Sequence, residues 1–234
     1  MKYYPLFLDL ADAHCLVVGA GRVGRRKLAT LLKCSPASVL VLDPSRDALN
    51  KAESLPCPEH CLLHCEARKF SPEDISGKSL VFASTPSARV NSAIASACRE
   101  RGVLCNTAGP LESGGGNFIV PAHVEKDSLI LALSTGGGSP ALAKALREEL
   151  ESWMDRGYPL LIRLLDALRP QILALGLGSD ADAHIFRSVC ALPLRAQLTD
   201  ALARKDAAAA DELLRPLLPD GLLFSSEEIL HGMD

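Results

Sequence analysis

Three glycine-rich stretches mark where this sequence could contact a ligand. They are Gly19–Gly24 (GAGRVG), the loop within LCNTAGPLESGGGNFIVPA at 104–122, and STGGGSP at 134–140. Glycine lets the backbone approach a ligand closely, and a helix that begins beside such a turn offers free N–H groups to an anion. The first and third stretches therefore predict contacts with anionic groups.

The first stretch carries the pattern G-x-G-x-x-G after an apolar run and before a helical pattern, and Asp43 ends the next apolar run. This is the context of a dinucleotide fingerprint, with the pyrophosphate at the helix N-terminus and an acid on the ribose hydroxyls. An acid at this place repels a 2′-phosphate, so the pattern predicts NAD rather than NADP. The predicted cofactor contacts are Gly19, Gly21, Arg22, Val23, Gly24, Asp43, Ser84 and Thr85.

The first helix is rich in cations. Arg22, Arg25, Arg26 and Lys27 follow the turn within six residues. They form either a solvated face or a cationic rim for a polyanionic substrate. The first interpretation is favoured for at least two of them.

Short apolar runs alternate with helical patterns over the first half of the chain. The predicted strands are the apolar start of HCLVVGAGRVG, then SVLVLDP, CLLHCEA, SLVFAS and GVLCNTA, and a sixth is SLILALS at 128–134. Such alternation predicts an α/β fold, a Rossmann-type doubly wound parallel sheet. Thr85 is the predicted N-cap of the helix before the fifth strand, with Pro86 as its first residue. Ser84 and Thr85 would follow strand four, at the edge where open sheets bind ligands.

The second half of the chain is helical. Ser139 and Pro140 begin a helix with Leu142, Leu146, Leu150 and Trp153 on one face, and four further helical patterns follow Tyr158. The predicted parts are a Rossmann domain at 1–112, a small segment at 113–156 and a helical C-terminal domain at 157–234.

Composition excludes several functional classes. The net charge is −3 without a basic block, so nucleic-acid binding is not predicted. No apolar run approaches the length of a membrane span, and eight scattered cysteines are typical of reduced thiols in a cytoplasm. Cys57–Cys65 has soft ligands at short spacings, but neighbouring strand residues face opposite ways, so core cysteines are favoured over a metal site.

Several of these segments together resemble one family. They are PLFLDL (5–10), the strand with GAGRVGRRK (16–27), VFAST with Asn91, LCN (104–106), NFIVPA (117–122) and LALSTGGGSPALAKALREELE (131–151). The chain resembles the precorrin-2 dehydrogenase / sirohydrochlorin ferrochelatase family, the N-terminal module of siroheme synthases. The resemblance covers about residues 4–155.

The resemblance implies a fold, a reaction and an assembly. It implies that 113–156 is a dimerisation segment of a homodimer. The implied reaction is NAD-dependent oxidation of precorrin-2 to sirohydrochlorin, and some members also insert iron. The substrate is an anionic tetrapyrrole with eight carboxylates. The predicted substrate contacts are Asn106, Ser134, Thr135, Gly136 and Gly137.

The chain departs from the family pattern at one position. The family keeps an aspartate three residues after the strand-five asparagine, whereas this chain has Gly109 there. Glycine neither accepts a proton nor ligates iron. Glu112, on the same loop, and His123 are the candidate replacements for this catalytic acid. A loop carboxylate exposed to solvent and a surface or packing histidine are the competing interpretations.

These residues predict a cytoplasmic NAD-dependent dehydrogenase that acts on precorrin-2, with weak or absent chelatase activity and no resident metal. Metal insertion has the stricter requirement for a proton acceptor, since two pyrrole N–H protons must leave while the ion is held. Three alternatives stay open: a bifunctional dehydrogenase and ferrochelatase, a non-catalytic NAD-sensing protein, and a generic NAD oxidoreductase.

Overall fold

The computed structural model describes residues 3–108, 115–219, 222 and 224–231. The chain divides into two compact units, with the boundary between Val120 and Pro121. The finer three-part division of the chain stays a prediction. In the described ranges, no helix combines the length and the apolar character needed to cross a membrane.

The first unit alternates strands and helices. Its elements are β1 (His14–Val18), α1 (Arg22–Lys33), β2 (Ser38–Leu42), α2 (Arg46–Glu53), β3 (Leu62–Glu66), a 3₁₀ turn (Pro72–Ile75), β4 (Leu80–Ala83), α3 (Ala88–Glu100) and β5 (Leu104–Thr107). The five strands form one parallel sheet in the order β3-β2-β1-β4-β5. This confirms the predicted Rossmann-type doubly wound sheet.

The strand order reverses between β1 and β4. The chain runs outward from β1 through β2 to β3, then returns to the other side of β1 with β4. Such a switch point opens a crevice at the carboxyl ends of its two strands, and ligands of open α/β sheets bind there. Here the strands end at Val18 and Ala83, which are register partners.

The sheet is covered on both faces, which explains its near-continuous apolar strands. Leu28 and Leu49, from α1 and α2, pack with Val17 in one core cluster. Ile94, from α3, packs with Leu16 in another. Because successive strand residues point to opposite faces, both neighbours in β1 are fully buried.

The helix before β5 begins two residues later than predicted. Its N-cap is Ser87, whose side chain accepts a hydrogen bond from the Val90 N–H at 3.3 Å. The prediction that Thr85 caps this helix was wrong, because the Thr85 hydroxyl and N–H bond to the Asn91 side chain instead. Thr85 thus stays in the turn that follows β4.

The second unit begins with a hairpin and continues in helices. Its elements are β6 (Ala122–Lys126), β7 (Leu129–Leu133), α4 (Pro140–Met154), α5 (Tyr158–Ala174), α6 (Ser179–Cys190), α7 (Leu194–Ala203), α8 (Ala207–Leu214) and α9 (Ser226–His231). Strands β6 and β7 pair antiparallel, and Asp127 in their turn has a φ of 51°. The sequence predicted β7 but not β6, whose charged residues interrupt the apolar pattern.

The helices after α4 share a core of their own. Leu164, Leu168 and Ile172 from α5 pack with Leu198 and Leu202 from α7, and all five are fully buried. Within each helix these residues recur every four positions, which places them on one face of that helix. This confirms the predicted helical C-terminal part.

Candidate functional site

The glycine turn between β1 and α1 depends on the absence of side chains. Gly19 has a φ of 98°, and a Cβ atom there would lie 2.7 Å from the carbonyl oxygen of Ser84. A Cβ atom on Gly24 would lie 1.8 Å from the carbonyl oxygen of Gly19. The strand, the turn and the first helical turn therefore pack at a distance that only glycine permits.

Two side chains form hydrogen bonds with the backbone of Ala20. The Ala20 N–H donates to Oδ2 of Asp43 at 2.7 Å, and Nη1 of Arg25 donates to the Ala20 carbonyl at 2.8 Å. Asp43 also accepts from the Ser45 N–H with Oδ1, at 2.8 Å. The carboxylate thus joins the glycine turn to the start of α2.

The N-terminus of α1 is left open for an anion. Its N-cap, Gly21, offers no side chain, and the first turn contains no acid. A Cβ atom on Gly21 would meet nothing within 4 Å. By contrast, α2 and α3 are capped by the side chains of Ser45 and Ser87. Free N–H groups beside open space fit a pyrophosphate, and the half-buried Asp43 fits the adjacent ribose.

Ser84 and Thr85 form the opposite wall of the crevice. Ser84 is 8% exposed, and its hydroxyl has no hydrogen-bond partner among the described residues. The Asn91 side chain clamps Thr85: Oδ1 accepts from the Thr85 N–H at 3.1 Å, and Nδ2 donates to the Thr85 carbonyl at 2.9 Å. A buried hydroxyl without a partner is costly, so Ser84 is a candidate to bond a ligand.

Lys27 and Asn106 meet near the carboxyl end of β5. The Lys27 ammonium donates a hydrogen bond to Oδ1 of Asn106, and Nδ2 of Asn106 donates to the Phe118 carbonyl at 3.1 Å. Lys27 also lies 5.5 Å from the ring centroid of Phe82, within cation–π range. The Phe82 and Phe118 rings meet edge to face at 5.9 Å.

The Lys27 ammonium is perturbed by its surroundings. Burial, with a smaller effect from the neighbouring Arg26, lowers the pKa of Lys27 from 10.5 to about 8. The ion pairs among the described residues include none with Lys27. The cation is therefore half-buried without a carboxylate from the described part of the chain.

Asn117, the first residue of the NFIVPA segment, bonds to β5 at the edge of the sheet. Asn117 donates its N–H to the Cys105 carbonyl at 2.9 Å, and its Oδ1 accepts from the Cys105 N–H at 2.7 Å. Its Nδ2 donates to the Val103 carbonyl at 3.0 Å. The neighbouring Gly116 is packed so closely that a Cβ atom would lie 1.9 Å from the Cys105 oxygen.

The STGGGSP turn lies in the second unit and bonds largely to itself. Gly136 and Ser139 donate their N–H groups to the hydroxyls of Ser134 and Thr135, at 3.1 and 3.3 Å. The Ser139 hydroxyl caps α4 by accepting from the Leu142 N–H at 3.1 Å. Gly136 and Gly137 have φ values of 64° and 90°, and a Cβ atom on either would meet nothing within 4 Å. Substrate binding by Ser134, Thr135, Gly136 and Gly137 stays a prediction.

The candidate replacements for the missing acid are Glu112 and His123. Glu112 and Gly109 lie outside the described residues. His123 is an exposed residue of β6, in the second unit, and its Nδ1 lies 3.4 Å from the Pro121 carbonyl oxygen. A catalytic role stays a prediction for both residues.

The cysteine-histidine stretch runs into the edge strand β3. His64 and Cys65 are adjacent residues of that strand, as predicted, and Cys61 directly precedes it. Among the described residues, no three His, Cys, Asp or Glu side chains are grouped to hold a metal ion. Burial raises the pKa values of Cys61 and Cys65 to about 11, as is typical of core thiols.

The structure separates the four cations of α1. Arg22 and Arg26 are exposed, as the solvated-face interpretation requires for at least two of them. Arg25 holds the glycine turn, and Lys27 contacts Asn106. Sequence reasoning did not identify these two contacts, nor the clamp on Thr85. The six-residue spacing of Thr85 and Asn91 was the signal available for the clamp.

Comparisons with known proteins agree with this geometry. Residues 6–122 match the model of a family described as "Putative NAD(P)-binding". The siroheme synthase of Chromobacterium violaceum is 33% identical over 90% of this chain and 42% of its own length. That of Methylococcus capsulatus is 34% identical over 74% of this chain and 35% of its own length. The chain thus spans less than half the length of these relatives.

A solved structure, "SirC, precorrin-2 dehydrogenase", shares the fold. It has a TM-score of 0.67 and 24% sequence identity, and the match covers 92% of this chain and 98% of that one. This match shows that the two proteins share a fold. The chain belongs to the NAD(P)-binding family that forms the N-terminal module of siroheme synthases.

Proposed function

We propose that this chain catalyses the NAD-dependent dehydrogenation of precorrin-2 to sirohydrochlorin. The observation that carries the proposal is the open N-terminus of α1 at the switch point of the sheet, beside Asp43. This geometry suits a dinucleotide, and the relatives named siroheme synthases supply the tetrapyrrole chemistry. When bound, NAD would accept a hydride from the substrate.

The residues of the first unit hold and orient the reactants. Gly21 leaves room for the pyrophosphate, and Asp43 accepts hydrogen bonds from the ribose hydroxyls. Ser84 and Thr85 line the crevice between the two halves of the sheet, where the nicotinamide would extend. Asn106, fixed by its bonds to Lys27 and Phe118, presents a rigid polar group at the same edge.

The proposed reaction is confined to dehydrogenation, with chelatase activity weak or absent. Oxidation of precorrin-2 releases one hydride and one proton, and the proton can leave to water or to Glu112 or His123. Metal insertion requires removal of two pyrrole protons while the ion is held. Gly109 supplies no side chain for that task.

A two-step assay of the purified full chain tests this proposal. We expect NADH formation from precorrin-2 and NAD, followed by little or no metal insertion when sirohydrochlorin and Fe²⁺ or Co²⁺ are supplied. Metal insertion at rates comparable to dehydrogenation would show a bifunctional enzyme. Binding of NAD without turnover of precorrin-2 would instead favour the NAD-sensing alternative.

Asp43→Asn is expected to weaken the preference for NAD. The single amide oxygen can keep the bond from the Ala20 N–H only by losing the one from the Ser45 N–H, and the amide carries no charge to repel a 2′-phosphate. Loss of one like-charge contact should shift the ratio of NADP to NAD affinity by at least about fivefold toward NADP. Titration of both cofactors against the wild-type and variant chains measures the ratio. An unchanged ratio would contradict the assigned role of Asp43.

The proposal includes a homodimer in the cytoplasm. Helix α4 exposes Leu142, Leu146 and Trp153, at 52%, 37% and 37% of their surface. Exposed apolar side chains that recur along one helix favour burial against a partner. A second copy of the chain is the partner implied by the resemblance.

A further inference from the structure

Lys27 is a half-buried cation at the edge of the sheet where the substrate would bind. It reaches from α1 toward β4 and β5, where Phe82 and Asn106 are register partners one residue before each strand ends. Its contacts there are an amide oxygen and an aromatic ring, both of which stabilise a positive charge without neutralising it.

The charge of Lys27 lacks a counter-ion within the described residues. No carboxylate of these residues lies within ion-pair distance of it. The depressed pKa of Lys27, about 8, agrees with an uncompensated cation. Desolvating such a charge destabilises the folded protein, and an arriving anion would recover that free energy.

We propose that Lys27 binds a carboxylate of the tetrapyrrole substrate and that Asn106 aims the ammonium at it. The inference rests on the proposed function for the identity of the substrate. Asn106 takes part because its amide is fixed on its other side by the Phe118 carbonyl, so its oxygen holds the ammonium in one place. A fixed cation selects a ligand with a negative charge at one position.

Few charged groups surround Lys27. Arg26, on the same helix, adds positive charge, and β5 presents the thiol of Cys105. A hydrogen bond with Cys98 and burial raise the pKa of Cys105, so this thiol stays neutral. β4 presents the Phe82 ring, which does not titrate. Among the residues that the structure describes at this site, Lys27 is thus the group whose pKa lies near 8.

Uroporphyrin, a porphyrin with eight carboxylates, is the binding probe, and its affinity is measured by fluorescence. The variants are Lys27→Met, Lys27→Arg and the control Lys33→Met, an exposed lysine of the same helix. Loss of a hydrogen bond to a charged group should raise the Kd of Lys27→Met roughly tenfold to hundredfold. Lys27→Arg keeps the charge, so its Kd should rise less than that of Lys27→Met, although the planar guanidinium does not reproduce the position of the ammonium. Lys33→Met and the NAD affinity of all variants should be unchanged.

The wild-type chain gives a second measurement, which needs no variant to fold. The charged lysine is the binding form, so the Kd for uroporphyrin should increase as the pH rises above about 8. The carboxylates of the probe stay ionised over this range. In Lys27→Met the Kd should be independent of pH between 7 and 9.

The outcomes separate the inference from the proposed function. Equal affinity of Lys27→Met and the wild type would overturn the inference, even if precorrin-2 is oxidised. A wild-type Kd that is constant through pH 8, with a dehydrogenation rate that rises there, would also overturn it and make neutral Lys27 a proton acceptor. Lys27-dependent binding of uroporphyrin without oxidation of precorrin-2 would support the carboxylate site and reject the proposed reaction.

Discussion

Gly24→Val is expected to lower the free energy of unfolding by about 3 kcal/mol, as overpacking of a close contact does. A Cβ atom at this position would lie 1.8 Å from the Gly19 carbonyl oxygen and 2.9 Å from its carbon. Both atoms belong to the backbone, so no side chain can rotate away, and α1 must move from the sheet. For a chain of this size the melting temperature should fall by roughly 6–12 °C. Thermal unfolding followed by circular dichroism measures the change.

The same variant should also lose NAD affinity, because the displaced helix carries the N–H groups for the pyrophosphate. A melting temperature within about 1 °C of the wild type would contradict the packing argument, since it would require a cost well below that of ordinary overpacking.

Gly21→Val is expected to leave the fold intact and weaken NAD binding by about a hundredfold or more, a loss of roughly 3 kcal/mol. A Cβ atom on Gly21 meets nothing within 4 Å, and its φ of −65° suits any residue. Valine at an N-cap should cost only about 1 kcal/mol of stability. The new side chain would instead fill the space that the pyrophosphate needs, at the point where the backbone approaches it. Calorimetric titration with NAD measures the loss.

The two glycine variants control for each other, because they place the same side chain three residues apart. Gly24→Val tests the contact between helix and strand, and Gly21→Val tests the space reserved for the cofactor. Wild-type NAD affinity in Gly21→Val would place the pyrophosphate elsewhere and remove the main support for the proposed function.

The strands of the sheet were predictable from the sequence because each is a short apolar run, a pattern contained in a few consecutive residues. Runs such as 16–18, which lie in a strand buried on both faces of the sheet, differ in their apolar pattern from the helical segments between them. Helix boundaries were less predictable where side chains compete for the same backbone groups. Thr85 and Ser87 both suit an N-cap, and the choice depends on Asn91, a residue of α3 whose side chain bonds to Thr85.

The sequence predicted the motif of the candidate site but not the hydrogen bonds that join its residues to one another. The spacing of Gly19, Gly24 and Asp43 predicted where a dinucleotide would bind. It did not indicate that Asp43 also holds the turn, or that Lys27 contacts Asn106 from another element. Such contacts join residues far apart in the chain, and a single sequence contains no signal for which cation turns inward.

The side chain of Asn117 makes hydrogen bonds to β5 that a neighbouring strand would otherwise make. It offers the acceptor and the donor that a neighbouring peptide group would present, while its own N–H pairs with Cys105. The outward-facing backbone groups of Cys105 are thereby consumed, so β5 cannot serve as a template for another strand at this point. A second copy of the chain therefore cannot continue the sheet there by β-augmentation. A contact made at this part of β5 must therefore use side chains rather than extend the hydrogen-bond ladder.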